Sequence, residues 1–310
     1  MHLDVDRRAT RPTAAYHRAV PVTEPPDPAA LRAALLGVEG FILDADGVIV
    51  LKGEPIEGSV EALARLDARG TPYRVVTNFS VAHRTTLAAS FTKRGTTLDP
   101  ERIITAASAS AAYTCTMFEG RPLYVISAPD ALREFAGQAI LSSEEAAKAA
   151  PGDVAAVVIG DGGDDLSYAN LDTAFRLILG GAVFLAMHRN PWWLTPKGPT
   201  LDAGAAVAGL EYATGIRATV LGKPSPEVFR QALDGLRRDL GRRVPAGAIA
   251  MVGDDPDADV RAAQHVGLRG ILVLTGKTTA QHLEEPALGR GRRAPDAIAP
   301  SLAEVVAALD

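Results

Sequence analysis

Two carboxylates set two residues apart, Asp44 and Asp46 in the run FILDADGVIV at 41–50, close an apolar, strand-like stretch and are followed by Gly47. Side chains alternate along a strand, so residues i and i+2 leave on one face. At the C-terminal edge of a parallel sheet that face opens on the crevice where α/β proteins bind ligands. A carboxylate pair there can hold a metal ion, supply a nucleophile, or divide into an acid and a base, and an ordinary solvated turn would use the same residues.

Three further groups lie downstream. In YRVVTNFS, Thr77 and Asn78 end a second apolar stretch just before a helical pattern, and a hydroxyl beside helix-terminal N–H groups cradles phosphate oxygens. Asn78 or Ser80 as a plain N-cap is the simpler use of that segment. In VLGKPSPEVF, Lys223 follows a short strand and is flanked by Pro224 and Pro226, which stiffen the loop and make the lysine a positioned positive charge. In AIAMVGDDPDADVRAA, Asp254, Asp255, Asp257 and Asp259 follow an apolar strand and Gly253. Oxygen ligands in that number suit a hard cation such as Mg²⁺, and the spacing is not that of an EF-hand calcium loop.

These groups require strands to present them. Apolar β-prone runs at 40–44, 73–77, 102–105, 122–126, 154–159, 182–187, 218–221, 248–252, 270–274 and 296–298 alternate with helical patterns at 58–69, 81–94, 106–119, 168–180, 201–214, 225–239, 257–266 and 301–309. That alternation is the signature of an α/β fold with a doubly wound parallel sheet. The chemically loaded strand ends fall in two blocks, 40–80 and 218–276, which predicts one catalytic sheet built from both ends of the chain. The core is therefore expected at 31–107 and 215–310, with a cap domain inserted at 108–214 and a disordered or loosely docked extension at 1–30. PGD at 151–153 and NPWWLTPKGPT at 190–200 read as surface loops of the insert.

Composition narrows the function classes. A chain of 310 residues with 47% hydrophobic and 22% charged residues has the makeup of a folded domain pair. A net charge of −5 without a long basic run argues against nucleic acid or a membrane surface as the main partner, and Arg290, Arg292 and Arg293 in a Gly-rich stretch read as solvated. No apolar run is long enough to span a bilayer, and Met1 to Pro28 lack the apolar centre of a secretory signal. The one cysteine, Cys115, reads as a small buried hydrophobe in a reducing, cytoplasmic setting.

Taken in order, DADG at 44–47, TN at 77–78, GKP at 222–224 and GDDPDAD at 253–259 resemble the motifs of the haloacid dehalogenase superfamily of phosphatases. An α/β cap between the second and third motifs is similar to the branch holding the nucleotide and nitrophenyl phosphatases. The stretches at 210–229 and 251–277 are similar to its phospholysine phosphohistidine inorganic pyrophosphate phosphatase group. The resemblance runs from about residue 38 to the C-terminus.

It implies that Asp44 is the nucleophile, forming an aspartyl-phosphate, and that Asp46 is the acid and base. It implies that Thr77 and Asn78 hold phosphoryl oxygens and that Lys223 neutralises charge on nucleophile and phosphate. Mg²⁺ would be held by Asp44, Asp254 and the main-chain carbonyl of Asp46, with Asp259 assisting. The cap loops IGDGGDD at 159–165 and MHRNPWW at 187–193 would form a lid, with His188, Arg189 and Trp192 contacting substrate. The Trp192–Trp193 pair would serve equally as the interface of a homodimer formed through the cap.

The expected activity is Mg²⁺-dependent hydrolysis of a small phosphorylated metabolite, phosphoamide or pyrophosphate. Its rivals are a phosphotransferase or phosphomutase on the same core, and a phosphate-binding regulatory protein without turnover.

Overall fold

In a computed structural model the chain is described over residues 25–195, 198–279 and 294–310. The elements run α1 (Pro28–Leu35), β1 (Gly40–Asp44), β2 (Val50–Leu51), β3 (Glu54–Pro55), α2 (Ser59–Ala68), β4 (Tyr73–Thr77), α3 (Arg84–Thr92), β5 (Ile103–Thr105) and α4 (Ala106–Met117). Next come β6 (Leu123–Ile126), α5 (Pro129–Leu132), α6 (Ser143–Lys148), β7 (Ala156–Ile159), α7 (Tyr168–Leu179), β8 (Val183–Ala186), β9 (Trp192–Thr195), β10 (Gly198–Leu201), α8 (Ala203–Thr214) and β11 (Thr219–Val220). Last are α9 (Pro226–Asp239), β12 (Ile249–Gly253), α10 (Ala262–His265), β13 (Arg269–Val273), β14 (Ala297–Ala299) and α11 (Leu302–Ala307).

Six of these strands form one parallel sheet in the order β14-β13-β12-β1-β4-β5, with β1 central between β12 and β4. Both faces are covered. Phe41, Leu43, Val75, Val252 and Ile271 point toward α1, α2 and α11, while Ile42, Val76 and Met251 pack on α9 and α10. Such two-sided burial is why β1 reads as a continuous apolar run until Asp44, each fully buried Ile or Leu contributing roughly 2 kcal/mol.

The insert builds a second parallel sheet, β11-β8-β7-β6, covered by α7 and α8 on one face and by α4 and Phe135 on the other. Its edge strand corrects the expectation that 218–221 joins the catalytic sheet. Thr219 and Val220 pair with Leu185 and Ala186 of β8. A two-residue strand carries no periodicity that could reveal its partner.

Other departures are local. Pro28–Leu35 is a helix capped by Asp27, whose Oδ1 accepts from Ala29 N at 2.8 Å, and Leu31 and Leu35 are buried on the core. The expected extension thus overlaps a docked helix, and its residues 1–24 lie outside the described ones, as do Arg290, Arg292 and Arg293. The stretch 190–200 is no plain loop, since β9 and β10 pair antiparallel there. Cys115 is exposed on α4, where the Ala-rich face takes the buried side. None of the helices among the described residues is long and apolar enough to cross a membrane.

Candidate active site

Three loops at the C-terminal edge of the catalytic sheet, those after β1, β4 and β12, meet at Lys223. Its Nζ lies 2.7 Å from Asp44 Oδ1 and 2.7 Å from Asp259 Oδ1, and all three side chains are buried. Asp44 Oδ1 also accepts from Ala45 N at 2.6 Å, which pins the carboxylate at the strand end. Asp254 completes the group: one oxygen from each of Asp44, Asp254 and Asp259 falls within 4.8 Å of the others.

Asp259 reaches Lys223 through an irregular turn. The segment after β12 is π-helical over Pro256–Arg261, with Val260 N bonding Asp255 O across five residues at 3.3 Å. This wider turn replaces the regular helix expected at 257–266 and directs Asp259 back under β12. Gly253 permits it, because a Cβ there would meet Asp259 Cβ at 2.3 Å. Asp255 caps the turn, its Oδ1 accepting from Asp257 N and Ala258 N at 2.9 Å each.

Three buried carboxylates facing one ammonium are poorly balanced. Burial raises the Asp44 pKa to about 6 even though Lys223 opposes the rise, and Asp254 and Asp46 reinforce it. Asp254 is raised to about 6 by burial and by Asp259. Asp259 is raised likewise, by burial and by Asp44. Burial works against the charge on Lys223, but Asp259 and Asp44 outweigh it and keep the amine protonated. Asp254 Oδ1 is buried without a hydrogen-bond partner, while Oδ2 accepts from Lys277 N at 2.5 Å. Hard oxygen donors, surplus negative charge and an orphaned carboxylate oxygen together fit a divalent cation of the Mg²⁺ type.

Asp46 is exposed and lies outside the three-carboxylate group, and the protein packed around its carboxyl raises its pKa, with Lys223 and Lys277 pulling the other way. Gly47 beside it has φ +80°, and a Cβ there would sit 2.3 Å from Asp254 Oδ2. Only glycine lets the two loops approach so closely.

Lys223 arrives from the second sheet, not the first. The chain leaves β11, Gly222 N bonds Met187 O at 2.8 Å, and Asn78 Nδ2 donates to Lys223 O at 2.9 Å. Asn78 therefore uses its side-chain N–H groups to hold the lysine loop. Thr77 is buried at the end of β4, its Oγ1 accepting from Phe79 N at 3.2 Å.

Two of the cap residues expected in a lid, His188 and Arg189, are tied to neighbouring side chains. His188 is 1% exposed, its Nε2 lying 2.8 Å from Ser80 Oγ and its Nδ1 accepting from Asn190 N at 3.3 Å. Enclosure lowers its pKa to about 4, so the neutral ring donates from Nε2 to Ser80. Arg189 pairs with Glu211 of α8 at 2.6 Å. The Arg189 side chain remains 41% exposed. Trp192 is 40% exposed, on β9.

Unexpected from sequence is how the segment after Thr77 is gripped. Ser80 Oγ accepts from Asp161 N at 3.3 Å, and Ser127 Oγ donates to Ser80 O at 3.0 Å. Asp130 takes His83 N at 2.9 Å, and Glu134, with a side chain 1% exposed, takes Arg84 N and its guanidinium at 2.7 Å. No local pattern signals these contacts, which join residues 47 to 108 positions apart. Lys277 carries a signal legible in sequence, since Gly-Lys follows an apolar strand there as it does at Lys223.

The fold and this cluster define a haloacid dehalogenase-type site, and comparison with known proteins agrees. A family model for haloacid dehalogenase-like hydrolases matches residues 41–140, and a second hydrolase model of that type matches 220–305. Human phospholysine phosphohistidine inorganic pyrophosphate phosphatase is 34% identical over 78% of this chain and 85% of its own length. Bovine haloacid dehalogenase-like hydrolase domain-containing protein 2 is 34% identical over 78% and 86%. The crystal structure of 4-nitrophenylphosphatase from Thermotoga maritima superposes with a TM-score of 0.76 at 28% identity, covering 89% of this chain and 99% of that one. The chain belongs to the haloacid dehalogenase-like hydrolases, and among them it is an enzyme of the phosphatase kind.

Proposed function

We propose that the chain is a Mg²⁺-dependent phosphohydrolase that cleaves a small phosphorylated compound through an aspartyl-phosphate on Asp44. The observation that carries this is the charge imbalance around Lys223: three buried carboxylates against one ammonium, with Asp254 Oδ1 unpartnered. Asp44, Asp254 and Asp259 would hold the cation, directly or through water, together with the Asp46 carbonyl. When bound, the cation offsets repulsion between the carboxylate nucleophile and an anionic phosphate.

The residues divide the rest. With Oδ1 committed to Lys223 and Ala45 N, Asp44 presents its second oxygen to phosphorus. As that O–P bond forms, the bond to the leaving group breaks and Asp46 gives the departing atom a proton. Asp46 then takes a proton from the water that attacks phosphorus and frees Asp44. Its exposed position supports this role, as the burial of Asp44 supports that of nucleophile. Thr77 and the N–H of Asn78 would hold phosphoryl oxygens.

The substrate class is a small molecule with a terminal phosphoryl group, pyrophosphate and phosphoamides being those named for the human relative. The cap is also read as the seat of a homodimer, supported by exposed Trp193 and Leu201 on the β9–β10 hairpin. A cytoplasmic location is the matching reading for a chain with one unpaired cysteine. Replacing Asp44 with Asn should reduce Mg²⁺-dependent release of phosphate from nitrophenyl phosphate at least about 10³-fold. Turnover within a few-fold of the parent would refute the mechanism.

A further inference from the structure

Beyond Lys223, one more lysine is fixed at the acidic cluster. The loop after β13 is tied to the catalytic loops by its main chain and by Thr275: Thr275 Oγ1 donates to Gly47 O at 2.5 Å, and Lys277 N donates to Asp254 Oδ2 at 2.5 Å. Gly276 is pressed so closely that a Cβ there would lie 2.0 Å from Asp254 Oδ2 and 2.6 Å from Gly47 Cα. These ties hold whatever side chain stands at 277.

The amine is aimed separately. Asp255 is pinned by the two N–H groups it caps, and its Oδ2 holds Lys277 Nζ at 3.1 Å. The side chain of Lys277 remains 57% exposed. An ammonium has three N–H donors, and this aspartate uses one. Its charge opposes the rise in the Asp46 pKa, Asp46 being the exposed carboxylate beside Gly47. Lys223 differs in being buried and shared between Asp44 and Asp259, so it serves the nucleophile.

We propose that Lys277 recognises a negatively charged leaving group, so that the site prefers a condensed phosphate to a phosphoamide whose leaving amine is cationic. The inference rests on the phosphohydrolase reading and names its substrate class. In cleavage of pyrophosphate, the Asp44 oxygen bonds to one phosphorus, the P–O–P bridge breaks at that phosphorus, and the bridging oxygen leaves with the second phosphate. That phosphate takes the Asp46 proton while Lys277 offsets its charge. Water then replaces the Asp44 oxygen. No oxidant or co-reactant is needed.

The test compares the parent, Lys277→Met and Lys277→Arg on pyrophosphate, phospholysine and nitrophenyl phosphate, all with Mg²⁺. Lys277→Met should lower kcat/KM for pyrophosphate at least about tenfold more than for nitrophenyl phosphate, with most of the difference restored in Lys277→Arg. It should also narrow the parent's preference for pyrophosphate over phospholysine. In a second arm, calorimetry of imidodiphosphate binding to Asp44→Asn should show affinity about tenfold weaker when Lys277→Met is added. An equal loss on pyrophosphate and nitrophenyl phosphate would make Lys277 a support for Asp254 and Asp255, and unaltered binding would remove it from recognition; either overturns the proposal. A parent active on nitrophenyl phosphate but inert toward pyrophosphate overturns the substrate class alone. A parent inert toward all three refutes the phosphohydrolase reading, and the calorimetric arm still decides the role of Lys277.

Discussion

The catalytic sheet and the cap sheet share one construction, parallel strands with helices on both faces, yet their C-terminal edges are used in opposite ways. Strand ends of the first present Asp44, Thr77 and Gly253–Asp254. Strand ends of the second lead into Ser127, Asp161 and His188, which all meet at Ser80. Burial acts on both sets. On the catalytic edge it raises carboxylates that remain beside Lys223, where the proposed cation would restore the balance. On the cap edge it lowers His188 to about 4, and the groups there are satisfied by one another, Glu134 by Arg84 and His188 by Ser80. A sheet edge can become reactive where buried charge is left in surplus; where buried groups satisfy one another, the same geometry becomes a joint.

The sharpest way to break this contrast is to remove the compensation. Lys223→Met should lower kcat roughly 10²–10³-fold, because Asp44 and Asp259 then face each other unpaired. The check is steady-state hydrolysis of nitrophenyl phosphate, with circular dichroism to confirm folding. A loss below about fivefold would show that the lysine is not needed for charge balance.

The joint should respond in stability more than in chemistry. Glu134→Ala removes the buried acceptor of Arg84 N and its guanidinium, and should cost about 2–4 kcal/mol in urea unfolding. The accompanying loss in kcat should stay under about tenfold. A larger kinetic than structural effect would mean that the joint gates the chemistry.

The smallest expected effect is the pH dependence of His188. Its folded pKa lies below the ordinary 6.5, at about 4, because burial penalises the charged ring. The unfolded chain therefore binds the proton more readily, and the stabilisation from keeping His188 neutral is full above about 6.5 and is lost as pH falls toward 4. His188→Asn should flatten the decline in stability across that window relative to the parent, as measured by denaturant midpoints at several pH values. Parallel curves would show that the ring is not held neutral.

The strands could be placed closely from sequence because two-sided burial writes them as apolar runs. FILD at 41–44 and MVGDD at 251–255 show both the strand and the charged residue that ends it. Harder to read were the features set by partners far away in sequence. Thr219–Val220 is too short to declare a sheet, the π-helical turn that delivers Asp259 looks like ordinary helix, and Glu134 is one glutamate among many until Arg84 is beside it. Trp192 and Trp193 are visible in sequence as an aromatic pair, but their pairing as a hairpin strand with Thr200 and Leu201 is not.

By itself the sequence determined which reactive groups exist and at which strand ends they stand, since side-chain type and local periodicity are carried by neighbours along the chain. Tertiary structure alone decided that Lys223 comes off the cap sheet to meet Asp44 and Asp259, that Asp46 stays open while Asp44 is enclosed, and that His188 closes a joint. The physical reason is that charge state follows burial and proximity, and both are set by residues brought together from across the chain.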